Sequence, residues 1–352
     1  MTLSVILPAL GALLALVFAI ALLDQWRERR HGFQLIWALG MLFFAVASAC
    51  EAWGGLNGWN ETLYRTWYLT GAVWTAGWLG LGTAFLLGKT RYGYAYAALW
   101  LLGGLIVFAA RNRYPDASSL PILLLIAALV IGLAIAVETY FQNERWPRIA
   151  AIALVLASVV AAWFAFTLPL VGGQVAIDAR TGIPSGEAIP GPERLVSLLL
   201  NIPGGISLAL GALFSAYIFM PKKRVLDYSL DPAQKGDQFL FNVFLAIVAI
   251  PVNFIASLPG TIVALFTGRI HSRVPATLLI AIGAIVTSST DALSRLGSTD
   301  LFQVGKFIGV LLIFLGFLVS IEVFREIRVP FTRVVLRSGR RERVAAVTEP
   351  GS

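Results

Sequence analysis

The sequence predicts an all-α, polytopic transmembrane helix bundle of about nine spans plus one re-entrant or broken helical hairpin, and three observations predict it. The 352 residues are 58% hydrophobic and 13% charged, with a mean hydropathy of +0.81, whereas about a quarter of the residues of a soluble domain carry charge. Apolar runs recur along the chain at the ~20-residue length that a helix needs to cross ~30 Å of hydrocarbon. Basic residues gather in the short segments between those runs, as in cytoplasmic loops that face anionic lipid. The formal charge of +8 is therefore read as membrane orientation, and no nucleic-acid partner is expected.

Taken in order, the apolar runs place helices at residues 3–23, 33–54, 66–87, 92–110, 120–140, 149–171, 195–219, 275–292 and 301–324. The first has no basic residue before it and Arg27, Arg29 and Arg30 after it. A cleaved signal has the opposite polarity, so a retained helix with its N-terminus outside is expected. The loops at 24–32, 88–91, 141–148 and 220–238 are then cytoplasmic, with three, two, two and four Lys or Arg. Residues 1–328 form the membrane domain, with candidate halves 1–171 and 195–328 joined by an outer loop at 172–194. Residues 329–352 form a basic cytoplasmic tail.

Residues 239–268 are the thirty-residue stretch left over, interrupted by Pro251, Asn253, Ser257, Pro259 and Gly260. A single crossing would put the tail arginines outside, with 12 basic residues inside against 14 outside; a return to the same side gives 20 against 6. The positive-inside rule therefore favours two half-helices that dip into the bilayer and turn back, although two short tilted crossings give the same count. A second break is expected in the seventh span at Asn201-Ile202-Pro203-Gly204-Gly205, because proline removes an amide donor and clashes with the preceding turn. Half-helix N-termini at such breaks present free amides and the positive end of the helix dipole. Asn201, Gly204, Gly205, Asn253, Ser257, Gly260 and Thr261 are accordingly the candidate substrate-binding residues, on the pattern of transporters with broken helices; the alternative is that both breaks are structural kinks.

Other features carry less chemistry. Glu51, Asp291 and Lys306 are ionisable residues within spans near one boundary, where an ion pair or simple snorkelling would relieve their cost. Trp53, Trp59, Tyr64, Trp67 and Tyr68 suit an interfacial belt, while Trp74 and Trp78 lie deeper on one helical face. The small-residue rows Ser207, Gly211, Ser215 and Gly305, Gly309, Gly316 mark close helix packing, within the monomer or at a homodimer or partner-subunit seam. The outer loop reads as a small hairpin or lid around Asp178-Ala179-Arg180-Thr181-Gly182. Cys50 is the one cysteine, and His31 and His271 both lie in basic loops. No metal, haem or other cofactor is expected, and no catalytic motif stands out.

Residues 49–87 and 201–224, ACEAWGGLNGWNETLYRTWYLTGAVWTAGWLGLGTAFLL and NIPGGISLALGALFSAYIFMPKKR, resemble segments of uncharacterised polytopic membrane proteins of bacteria. The resemblance implies a bacterial plasma membrane and no particular activity. The function expected from the residues is a small-solute or amphiphile transporter or channel-like protein with a midplane site at the two breaks. The alternative is a non-catalytic accessory subunit or membrane sensor, with a lipid-directed enzyme third. The expected partners are the bilayer itself and anionic lipid at the basic tail.

Overall fold

A computed structural model describes residues 3–178, 182–230, 237–267, 270–271, 273–295, 302–320, 326–328 and 335–338. It is all-α and polytopic, with ten helices long and apolar enough to cross a membrane. In chain order these are α1 (Leu3–Arg29), α2 (Gly32–Asn57), α3 (Glu61–Leu86), α4 (Tyr92–Ala109), α5 (Leu120–Tyr140), α6 (Trp146–Thr167), α7 (Gly191–Phe219), α8 (Asp237–Phe266), α9 (Arg273–Arg295) and α10 (Phe302–Val319). Within the expected tail, Val335–Ser338 (β2) pairs antiparallel with Glu326–Arg328 (β1); the rest of 329–352 lies outside the described residues. The helices divide into two compact units, residues 1–211 with 280–314, and residues 212–279 with 315–352.

In the first unit, small residues set the helix crossings. A Cβ on Gly80 would lie 2.3 Å from the carbonyl oxygen of Gly204, and one on Gly204 would lie 2.5 Å from that of Ala76. Backbones of α3 and α7 therefore touch where side chains would hold them apart. Gly211 in the same way admits Thr83, and Ser207 meets the Tyr92 hydroxyl at 3.0 Å through its carbonyl. Gly309 of α10 faces Gly283 and Thr287 of α9, and Gly305 faces Thr290. Ser207, Gly211, Gly305 and Gly309 of the small-residue rows thus pack inside the monomer. Leu123, Leu129, Leu133, Ile152, Leu156 and Val159 of α5 and α6 remain exposed, as side chains facing lipid do.

Helix α3 widens into a π-helical turn over Tyr68–Trp74, a local insertion that shifts the register of the ladder. The Thr75 hydroxyl follows the widening by donating to the Thr70 carbonyl at 2.8 Å. Trp74 and Trp78 both direct their indole N–H groups to Ser158 of α6, at 3.3 Å each, and pack on Phe43. They serve as packing residues between α3, α2 and α6.

In the second unit, the expected hairpin is replaced by one continuous helix. Residues 237–266 are helical throughout, with Pro251 and Pro259 inside. The physical reason is the solvent. Each interior proline costs a helix about 3 kcal/mol, but a turn at mid-membrane would strip several backbone groups of partners, at several kcal/mol each. The Ser257 hydroxyl bonds back to the Asn253 carbonyl at 2.6 Å, and that of Thr261 to the Ser257 carbonyl at 2.8 Å. The centre of α8 packs through Ile250, Phe254 and Leu258 on a core of Tyr217, Met220 and Val274. The last turn of α7 and the first turn of α9 belong to that same core, with Phe219 stacked on His271 at 4.8 Å.

Candidate functional site

The break residues do not form an open polar site within either unit. Asn201 is spent on packing: its side-chain amide donates to the Ala72 carbonyl in the π-helical turn and, at 2.9 Å, to the Ser197 carbonyl. Ser197 donates to the same Ala72 oxygen at 2.7 Å. Gly204 is pressed against α3, and Gly205 meets only the Ala76 methyl. Helix α7 runs through Pro203 without a break. These residues hold α3 and α7 together at the point where the π turn offers carbonyls to a neighbour.

On α8, Asn253 and Ser257 are buried, and their side chains fasten the connecting segment 223–226. The Asn253 amide oxygen accepts from Val225 and Leu226 N–H at 2.7 and 3.0 Å, and its nitrogen donates to the Leu226 carbonyl at 2.7 Å. Ser257 Oγ accepts from Lys223 N–H at 2.8 Å. Asn242, three to four turns earlier, accepts from Ser229 N–H at 3.0 Å. Thr261 continues this polar stripe, and Gly260 is exposed, with nothing within 4 Å of where a Cβ would stand. The spacing of four puts all the fastening side chains on one helical face.

A cavity of the first unit, of about 270 Å³, is lined by Ser4, Glu51, Gly54, Gly55, Trp59, Gln303 and the loop residues Ile177, Gly182, Ile183 and Pro184. Its polar wall is Glu51, whose residue is only 4% exposed. One carboxylate oxygen accepts from Lys306 Nζ at 2.7 Å and from the Trp67 indole at 2.8 Å; the other accepts from Gln303 Nε2 at 3.2 Å. Lys306 also lies over the Phe44 ring, 5.2 Å from its centroid. Gly54 allows the Trp59 indole to lie against α2, since a Cβ there would fall 2.3 Å from the ring. The Trp59 N–H is buried and has no hydrogen-bond partner among the described residues, so a donor is available in the lining.

The loop over this cavity is built as the turn signals predict. Asp178 N–H donates to the Ile183 carbonyl at 3.0 Å, Gly182 N–H to the Asp178 carbonyl at 2.8 Å, and Ser185 N–H to the Ala176 carbonyl at 2.9 Å. Residues 179–181 lie outside the described residues. Tyr64 fastens this hairpin through a hydroxyl bond to the Ser185 carbonyl. Arg65, 6% exposed, closes the end of α6 by donating to the Ala165 carbonyl and, at 2.8 Å, to the Leu168 carbonyl. Asp116 caps α7 by accepting from Gly191 N–H at 2.8 Å.

Glu51 and Lys306 are therefore brought together, while the Asp291 side chain lies outside the described residues. Sequence reasoning passed over Gln303 and the role of Trp67. Gln303 had a signal, since it sits one turn before Lys306 on the same face of α10. Trp67 had none beyond its place in an aromatic-rich segment. Among the described residues, no three His, Cys, Asp or Glu side chains gather as metal ligands. No family model, curated protein or solved structure matches the chain.

Proposed function

We propose that this polytopic membrane protein is a small-solute or amphiphile transporter that takes its ligand into the cavity beneath the 176–185 hairpin. The reading rests on the Glu51 carboxylate, buried yet bordering that cavity and balanced by Lys306, Gln303 and Trp67. A buried ion pair is costly to maintain for stability alone, and ionisable groups within spans are associated with ligand and ion pathways. With the N-terminus outside, as the basic loops favour, the cavity opens outward. A ligand with a small polar head would meet the Trp59 N–H and the Glu51–Gln303 pair while its apolar part lies on Ile177, Ile183 and Pro184. This replaces the midplane site, because Asn201 and Asn253 already spend their side-chain amides on structure.

A second reading, a membrane sensor or accessory subunit, is favoured by the close backbone contact of α3 and α7 at Gly80 and Gly204. Such a protein would bind its ligand at one end without passing it. Osmotic swelling of proteoliposomes, in glycerol, betaine and short-chain choline esters, separates the two. Transport predicts faster swelling than protein-free vesicles in at least one solute, reduced about tenfold or more by Gly182→Trp at the cavity mouth. Swelling equal to that of empty vesicles in all three, from protein that still melts cooperatively, would leave the sensor reading standing.

A further inference from the structure

The segment after α7 carries Lys222, Lys223 and Arg224 in succession, and four hydrogen bonds from buried side chains of α8 fix its backbone. Asn253 is 0% and Ser257 1% exposed, so the polar face of α8 is consumed in holding an otherwise solvent-facing basic segment in one conformation. Ordering backbone costs about 1–2 kcal/mol per residue, which a connector alone does not require. Between this segment and the end of α7 lies a cavity of about 130 Å³, lined by Tyr217, Lys222, Arg224, Leu226 and Tyr228. That is room for about four water molecules at their liquid volume, enough for a phosphate group and too little for a nucleotide. Lys222 Nζ stands 5.6 Å from the centroid of the Tyr217 ring. Among the described residues, neither Lys222 nor Arg224 has a carboxylate partner. Asp227, the nearest acid in the chain, is exposed and is not part of the lining.

The surroundings specify what kind of phosphate. The pocket stands at the end of α7, a helix long and apolar enough to cross a membrane, while Phe241, Phe244, Ile247, Val248, Ile255 and Val263 of α8, each more than half accessible, lie on the face turned away from the Asn253–Ser257 stripe. A fixed cationic pocket at the end of a membrane-length helix lies where phospholipid headgroups sit, and it matches an anionic head with acyl chains below it. Basic pockets at helix ends are a recognised solution for such lipids.

We propose that Lys222, Arg224 and the hydroxyls of Tyr217 and Tyr228 form a site for the phosphodiester of an anionic phospholipid, with its acyl chains running into the bilayer beside the end of α7. Arg224 supplies a planar pair of donors and Lys222 a point charge. The phenols complete the shell as neutral donors. Burial first, and then the neighbouring Tyr217, push the Tyr228 phenol up to about 12, so it keeps its proton at any physiological pH. The site is independent of the cavity at Glu51 and stands or falls separately.

Native mass spectrometry of the full chain in detergent, titrated with phosphatidylglycerol or phosphatidylcholine, tests this directly. Phosphatidylglycerol should bind in preference, and the double variant Lys222→Gln/Arg224→Gln should weaken it about tenfold or more while leaving phosphatidylcholine unchanged. Tyr228→Phe, which keeps the charge, should weaken it about threefold, in line with one lost hydrogen bond of about 0.6 kcal/mol. Lys89→Gln, which removes a cation elsewhere, should have no effect. Equal affinity in wild type and double variant overturns the site, as does an equal loss from Lys89→Gln, which would mean unspecific attraction. Displacement by soluble glycerol phosphate at the lipid's own concentration would overturn the lipid assignment, because the acyl chains would then contribute nothing.

Discussion

Glycines 204, 205 and 260 carry the same sequence signal, glycine beside proline in an apolar run, and the structure gives them three different roles. Gly204 is a contact residue with no room for a methyl group, Gly205 has space, and Gly260 has no neighbour within 4 Å. Gly204→Ala should lower stability by about 1–3 kcal/mol through overpacking of α3 on α7. Gly260→Ala should be neutral or stabilising by up to about 1 kcal/mol, because alanine is the better helix former in an open interior position. Thermal melting in detergent compares the two, and a large loss from Gly260→Ala would argue for a turn at that point. Glu51→Gln should cost about 3–5 kcal/mol by leaving Lys306 charged, buried and unpaired. The double variant Glu51→Gln/Lys306→Met should recover most of that loss in the same melt, since no lone charge then remains. Sequence alone offered Glu51 and Lys306 as residues expensive to bury, but Gln303 and Trp67 enter only because distant helices bring them to the same carboxylate.

At the scale of elements, α8 shows where reading prolines as breaks fails. In water a proline frees backbone groups that solvent accepts; in hydrocarbon nothing accepts them, so the helix continues and its own hydroxyls bond inward. The Asn-x3-Ser-x3-Thr spacing at 253, 257 and 261 was visible as a polar stripe, and its spacing of four was already helical. What it fastens was not visible, because the partners are backbone groups of a connecting segment with no distinctive composition. Asn253→Ala should loosen that segment, at a cost of about 1–3 kcal/mol for the unpaired backbone groups of Val225 and Leu226. Hydrogen exchange at amides 223–226 should accelerate by at least tenfold while the α8 amides keep their protection. Unchanged exchange there would mean that the segment is held by something other than α8. The π turn in α3 was equally hidden, since nothing in Tyr68–Trp74 announces one extra residue per turn.

At the scale of the molecule, the membrane class and nine of the ten long apolar helices follow from hydropathy, and the orientation depends on what residues 237–266, the tenth, do between α7 and α9. Within the second unit, the end of α7 and the start of α9 share one core with the middle of α8. Chain emerging at Lys222 and chain re-entering at Arg273 should then lie on the same side. Cys50 is buried, so single cysteines introduced as Lys222→Cys and Arg273→Cys report without background. A membrane-impermeant maleimide applied to oriented vesicles should label both from one face. Labelling from opposite faces would make α8 a full crossing and would return the tail arginines to the side that the positive-inside rule disfavours.

The sequence by itself determined that this chain is a set of long membrane helices with basic connections, because a backbone in hydrocarbon has almost no choice but to satisfy itself locally. Only the tertiary structure decided which polar groups meet: Glu51 with residues more than 250 positions away, Asn201 with a carbonyl in a π turn, Asn253 with a basic strap. Those meetings are set by close packing of small residues between helices, and hydropathy, which scores each residue against its solvent, does not register the fit of one helix against another.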